Sequence, residues 1–232
     1  MSRLEWLGDD IWVVDGPVAI DLVVVPYTTR MTIVRLGNGD LWVASPVKSS
    51  FEALAEITDL GPVRHLVSPT PRHYWRLEPW HQLFPEAQLW TSRTSIFTLG
   101  RPTLPTATLG DEPPAAWADD LDQASLHGAL GFNEVVFLHR ATGTLLVEDL
   151  LQSHLHHPGK PLVNAIVRFG GLSDPGGVAR DIRAAIRDKD AARAWAERVL
   201  SWDFDRLIMA HGPVILAGAK GYVEQSFEWL LG

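Results

Sequence analysis

The feature that most restricts the fold of this chain is a change of hydrophobic period that occurs twice along it. Residues 11–14, 18–25, 31–35 and 41–44 are short runs rich in Val, Ile and Trp, broken by Asp15-Gly16, by 26–29 and by Gly37-Asn-Gly-Asp40. Such runs between turn-forming clusters predict an antiparallel sheet built of hairpins. The period then lengthens over residues 50–59, where Phe51, Leu54, Ala55 and Ile57 share one helical face behind a serine cap. A strand at 63–67, a loop at 68–72, a short helix at 75–83 and a strand at 88–91 continue as a βαβ-type unit.

The same sequence of events then repeats. Residues 101–120, rich in Pro, Thr, Asp and Ala, read as an irregular surface connection. Strands follow at 134–139 and 144–147, joined by the turn Arg140-Ala-Thr-Gly143, and 150–173 reads as a surface excursion with three histidines. The strongest helical periodicity runs over 175–202, with a candidate break at Asp188-Lys-Asp190. A strand at 206–210 and an amphipathic helix at 221–231 close the chain. Two β-rich blocks, each followed by helices, predict an α/β fold of two stacked sheets inside two helical layers. A length of 232 residues suits a single domain, read as 1–232.

Composition excludes several functions. Charged residues are 21% and hydrophobic residues 46% of the chain, the balance of a folded globular protein. A net charge of −8 argues against a phosphate-binding face, so no nucleic-acid partner is expected. The apolar stretches, such as 22–25 and 207–210, fall far short of the roughly 18 residues of a membrane helix. The start, Met1-Ser-Arg-Leu-Glu-Trp6, has no signal-peptide pattern, and a cytoplasmic location is expected by default. With no cysteine, any metal must be held by His, Asp or Glu. Ten tryptophans are read as core or groove residues.

Four candidate ligands stand at strand ends or in the loops that follow: His73 after strand 63–67, His127 before strand 134–139, Asp149 after strand 144–147, and His211 after strand 206–210. Strand ends along one sheet edge are where side chains distant in sequence converge. Glu134 and Glu148 are candidates for acid–base work, but strand alternation sets Glu148 opposite Asp149, so Glu148 is expected to be structural. His154, His156 and His157 read as a solvated loop. His65 reads as a core or edge residue, and His81 and His139 lie on a helix and at a turn.

This order of groups resembles the metallo-β-lactamase superfamily, through Ser68-Pro-Thr-Pro-Arg-His73-Tyr74, His127, Leu145-Leu-Val-Glu-Asp149-Leu150 and Ile208-Met-Ala-His211-Gly212. A branch catalogued only as a domain of unknown function is closer still, through Gly61-Pro-Val-Arg-His-Leu-Val67, Leu109-Gly-Asp-Glu-Pro-Pro-Ala-Ala-Trp117 and Asn133-Glu-Val-Val-Phe-Leu-His-Arg140. The resemblance implies a four-layer αβ/βα sandwich of two mixed sheets.

It also implies a reduced site. Pro69 and Pro71 stand where the superfamily carries its first two histidines, and proline binds no metal, so the first of two metal positions is expected to be lost. His73 and Tyr74 stand at the following Asp-His pair, His73 as a good ligand and Tyr74 as a conditional ligand or catalytic hydroxyl. A remnant of His73, Asp149 and His211 is a two-His-one-carboxylate set with open positions, suited to one divalent zinc or iron, or to manganese. His127 is either a fourth ligand or a nearby acid or base. The resulting expectation is a metal-dependent hydrolase-like protein acting on a small molecule. A non-haem iron oxidative enzyme and a non-catalytic binding or scaffold protein are the alternatives.

Overall fold

The computed structural model of the chain describes residues 3–21, 25–93 and 105–232. The first block forms β1 (Leu4–Gly8), β2 (Ile11–Asp15), a small hairpin of β3 (Ala19–Asp21) and β4 (Val25–Tyr27), β5 (Arg30–Arg35), β6 (Leu41–Ala44), α1 (Phe51–Leu60) and β7 (Val63–Ser68). A 3-10 turn (Pro71–Arg76), α2 (Leu77–Leu83), β8 (Gln88–Thr91) and β9 (Ala107–Thr108) complete it. These strands make a seven-stranded mixed sheet in the order β1-β2-β5-β6-β7-β8-β9.

The second block forms β10 (Leu121–Ser125), β11 (Val135–His139), β12 (Thr144–Val147), β13 (Leu151–Gln152), α3 (Pro161–Gly170), β14 (Gly177–Val178), α4 (Arg180–Ala185), α5 (Lys189–Ser201), β15 (Arg206–Met209) and α6 (Ala219–Leu231). Its sheet runs β10-β11-β12-β15, antiparallel except for the parallel pairing of β12 with β15.

Period-2 alternation assigns each strand's two faces to different layers. In the first sheet Ile11, Val13, Trp42, Ala44 and Val67 face the second sheet, where Val135, Phe137, Leu146 and Ile208 meet them. The intervening Trp12, Val14, Leu41, Val43 and Leu66 face Ile57 of α1 and Leu77 and Trp80 of α2. In the second sheet Val136, Leu138, Leu145, Val147, Leu207 and Met209 face Ile182 of α4, Trp195 and Val199 of α5, and Phe227 of α6. This is the expected αβ/βα sandwich, and each fully buried Leu, Ile or Phe contributes about 1.5–3 kcal/mol to it.

Side-chain caps mark the starts of α1 and α5. Ser50 accepts a hydrogen bond from the Ala53 N–H at the head of α1, and Asp188 accepts one from Ala191 N at the head of α5. The Asp188 cap separates α5 from α4 at the expected break. No helix among the described residues is long and apolar enough to cross a membrane.

Several expectations need correction. The strand read at 18–25 is the β3–β4 hairpin, with 22–24 outside the described residues. Of the connection 101–120, residues 101–104 also lie outside them, and the remainder is not merely surface, because Leu109 and Trp117 are buried between the sheets. Residues 150–173 carry β13 and α3. Val163 and Val167 of α3 pack on Val25, so that helix covers the β3–β4 hairpin. Strand β10 has no apolar alternation to announce it: its Gln123 and Ser125 are buried, and Gln123 bonds the Trp117 indole and Gly110 O.

Candidate metal centre

The parallel strands β6, β7, β12 and β15 end at one edge, and the turns beyond them converge there. Among the described residues one group of three metal-ligating side chains forms: His73, Asp149 and His211, with one ligand atom of each lying within 4.8 Å of the others. Asp149 Oδ1 is 3.2 Å from His211 Nε2 and 3.8 Å from His73 Nε2. Two atoms each bonded at about 2.1 Å to a tetrahedral ion lie about 3.4 Å apart, so Asp149 already stands near the required distance from each histidine, while the group as a whole, spanning up to 4.8 Å, would close further around a shared cation.

Each of the three side chains is held by its far atom. His211 Nδ1 lies 2.6 Å from the Thr28 carbonyl, which accepts only, so Nδ1 carries a proton, and Nε2 is the atom that faces Asp149 and that a cation would take. Tyr27 packs edge-on against that ring, with centroids 4.8 Å apart. The Asp149 Oδ2 atom accepts from Thr70 Oγ1 at 2.8 Å. His73 Nδ1 lies 2.7 Å from Ser45 Oγ and 3.4 Å from Glu148 Oε2, again leaving Nε2 toward the group. Such outer partners orient ligands in metal sites and raise their basicity.

Ser45, directly after β6, is buried and holds φ 51°, an uncommon left-handed conformation for a residue other than glycine. Its N–H donates to Val67 O of the neighbouring strand at 2.9 Å, which fixes the hydroxyl beneath His73. Pro71 opens the 3-10 turn that carries His73, and Thr70 caps it. The two prolines are thus part of a rigid connection between β7 and the ligand.

Glu148 is not set apart from the site. Strand β12 stops at Val147, so the pleat no longer places residues 148 and 149 on opposite faces. The N–H groups of Glu148, Asp149 and Leu150 all donate to the carboxylate of Glu134, each at 2.8 Å. Glu148 and Asp149 consequently both approach His73.

The electrostatics follow from this crowding. Burial pushes His73 down, but the charges of Asp149, Glu148 and Glu134 and the Glu148 hydrogen bond outweigh it and raise the ring to about 9. Burial pushes Asp149 up, and His73, His211 and Arg72 outweigh it to hold the carboxyl well below the usual range. For Glu134, burial first and then the charges of Asp149 and Glu148 push the carboxyl up to about 8, against the N–H donors.

The structure does not bring His127 into the group. Its Nε2 pairs with Asp111 at 2.7 Å on the surface. The Arg187 and Asp188 N–H groups bond Gly128 O, and Leu130 N bonds Ala185 O, drawing that loop toward the α4–α5 junction. Gly128 sits at φ 84°, where a Cβ would collide with Asp188 O. Tyr74 packs against the apolar cluster under α1 and α2 rather than between the sheets. His154 is buried, contrary to the solvated loop expected, and its Nε2 meets Gln152 Oε1 at 3.1 Å. His65 lies in β7 and takes the Trp90 indole N–H, as a core residue does. His81 lies on α2, and His139 is the last residue of β11 rather than part of the turn.

A family model, domain of unknown function DUF4336, matches residues 8–163. The chain belongs to the DUF4336 family. Solved structures show how widely this fold is shared. A metallo-β-lactamase from Pontibacter korlensis is 16% identical with a TM-score of 0.64, over 100% of this chain and 99% of that one. A Nostoc sp. PCC 7120 chain assigned as diflavin flavoprotein A 5 is 11% identical with a TM-score of 0.66, over 99% and 95%. The FIM-1 metallo-β-lactamase from Pseudomonas aeruginosa, in its mono-zinc form, is 11% identical with a TM-score of 0.61, over 99% and 93%. At these identities the likeness shows the fold alone, which for this DUF4336 chain is metallo-β-lactamase-like. No curated protein matches the sequence. The His73, Asp149 and His211 group could hold a metal ion.

Proposed function

We propose that this chain, as a divergent relative of the metallo-β-lactamases, is a hydrolase-like protein that holds one divalent metal ion, zinc or iron, on His73, Asp149 and His211, and acts on a small molecule. One observation carries the reading: all three donors are aimed at one another while Ser45, Thr70 and the Thr28 carbonyl occupy their far atoms. A bound metal would acidify a water or polarise a substrate oxygen at its open positions. The chain's own residues do the rest: Thr28 sets the His211 tautomer, Thr70 leaves one Asp149 oxygen for the cation, and Ser45 and Glu148 fix the His73 ring.

Pro69 and Pro71, standing where the metallo-β-lactamase superfamily carries its first two histidines, support one metal rather than two. The mono-zinc form of the FIM-1 enzyme shows that this fold accommodates such occupancy. Because His73 comes from the first sheet and Asp149 and His211 from the second, residues 1–232 are proposed to work as one domain.

A second reading, a binding or scaffold protein without catalysis, is favoured by the charge pairing already present: His73 sits against Asp149 and Glu148 as a self-satisfied ionic group. Zinc and iron(II) titration of the metal-free protein separates the two. One equivalent bound by the wild type and lost in His73→Ala and Asp149→Ala supports the metal-dependent reading. No binding by the wild type supports the scaffold, and unchanged stoichiometry in the variants places the site elsewhere.

A further inference from the structure

The turn after β12 is fastened by a residue that cannot itself reach a substrate. Glu134 is fully buried and immediately precedes β11, whose antiparallel pairing with β12 sets its side chain beside residues 148–150. Both of its carboxylate oxygens are used, Oε1 by Glu148 N and Oε2 by Asp149 N and Leu150 N, all at 2.8 Å. Three consecutive N–H groups pointing one way require a turn that strand geometry does not supply, and an unpaired buried N–H would be costly. The turn and the carboxylate therefore specify each other.

Its geometric consequence is at the site. With those N–H groups drawn to one side, Asp149 Oδ1 stands 3.2 Å from His211 Nε2, and Glu148 Oε2 stands 3.4 Å from His73 Nδ1. In a continued strand the two side chains would leave on opposite faces. We infer that Glu134 is a positioning residue for the metal centre: its carboxylate turns the chain at 148–150 so that Asp149 serves as ligand while Glu148 orients His73. The inference deepens the metal-dependent reading and rests on it only for its metal readout.

The test compares wild type, Glu134→Gln, Glu134→Asp and Val199→Ala, the last being a buried α5 substitution that lowers stability without removing any of the hydrogen bonds that hold the turn. Glutamine keeps the volume but turns an N–H2 group toward backbone N–H groups. It is expected to fold, to bind zinc about 10- to 100-fold more weakly, and to change the visible spectrum of bound cobalt(II). Val199→Ala is expected to keep both zinc affinity and spectrum. Aspartate, which keeps two carboxyl oxygens as acceptors for the backbone N–H groups, is expected to retain more affinity than glutamine, and it supplies the readout if the glutamine variant does not fold. Wild-type zinc affinity and cobalt spectrum in the folded Glu134 variants would overturn the inference.

If the wild type itself takes up no metal, the metal reading fails separately. The ¹⁵N shifts of the His73 ring then decide on metal-free protein. A change in the Glu134 variants sustains the positioning role, and unchanged shifts overturn it.

Discussion

Thr70 Oγ1 donates a 2.8 Å hydrogen bond to Asp149 Oδ2, tying the connection after β7 in one sheet to the turn after β12 in the other. Both residues are buried. Thr70→Val keeps the shape and removes the donor. A buried hydrogen bond to a charged acceptor is worth about 1.5–3 kcal/mol, so a destabilisation of that order is expected in urea unfolding. Zinc affinity should fall as well, because Asp149 is free to rotate. Unchanged values of both would show that the bond does not orient the carboxylate.

Arg30 makes the equivalent tie for His211. Its guanidinium, 8% exposed, donates to Met209 O at 2.8 Å and Gly212 O at 2.7 Å, and to the largely exposed Asp15. Arg30→Met leaves two buried carbonyls without their partner. The expected loss is about 2–4 kcal/mol, read as a lower urea midpoint with little change in slope. Asp15→Asn should cost much less, since that half of the contact faces water.

His154 makes stability depend on pH. Burial lowers its pKa to about 4, with the charges of His211 and His157 acting in the same direction. The unfolded chain, near 6.5, therefore binds a proton that the folded chain refuses between those values. The stabilising effect of the neutral ring is complete above pH 6.5 and is lost as pH falls toward 4. His154→Gln should flatten the urea midpoint across that range, and a slope identical to wild type would assign the dependence to other groups.

His127→Ala should leave metal uptake and stability nearly untouched, within about 0.5 kcal/mol, because it removes one exposed ion pair with Asp111. Loss of metal in this variant would restore His127 as a ligand.

How much of this was legible in the sequence depends on the residue. Strands β2, β5, β6, β7, β8, β11, β12 and β15 and helices α1, α2, α4, α5 and α6 followed from hydrophobic period, because alternating layers demand it, whereas α3 did not. His73, Asp149 and His211 followed from their places beyond strand ends. Glu148 was misplaced because alternation was extended past Val147, where β12 ends, and the cue was Glu134, a buried acid beside the turn. Ser45 carries no local signal: its role comes from a left-handed backbone after β6 and a contact 28 positions away. Strand β10 was missed because its buried residues include Gln123 and Ser125, whose hydrogen bonds replace apolar burial.

The central claim is one metal ion held by three named side chains, and anomalous diffraction at the zinc edge from crystals of zinc-loaded protein tests it most directly. The predicted result is a single peak about 2.0–2.2 Å from His73 Nε2, Asp149 Oδ1 and His211 Nε2. No peak among those atoms, or a peak confined to the loop of His156 and His157, would contradict it.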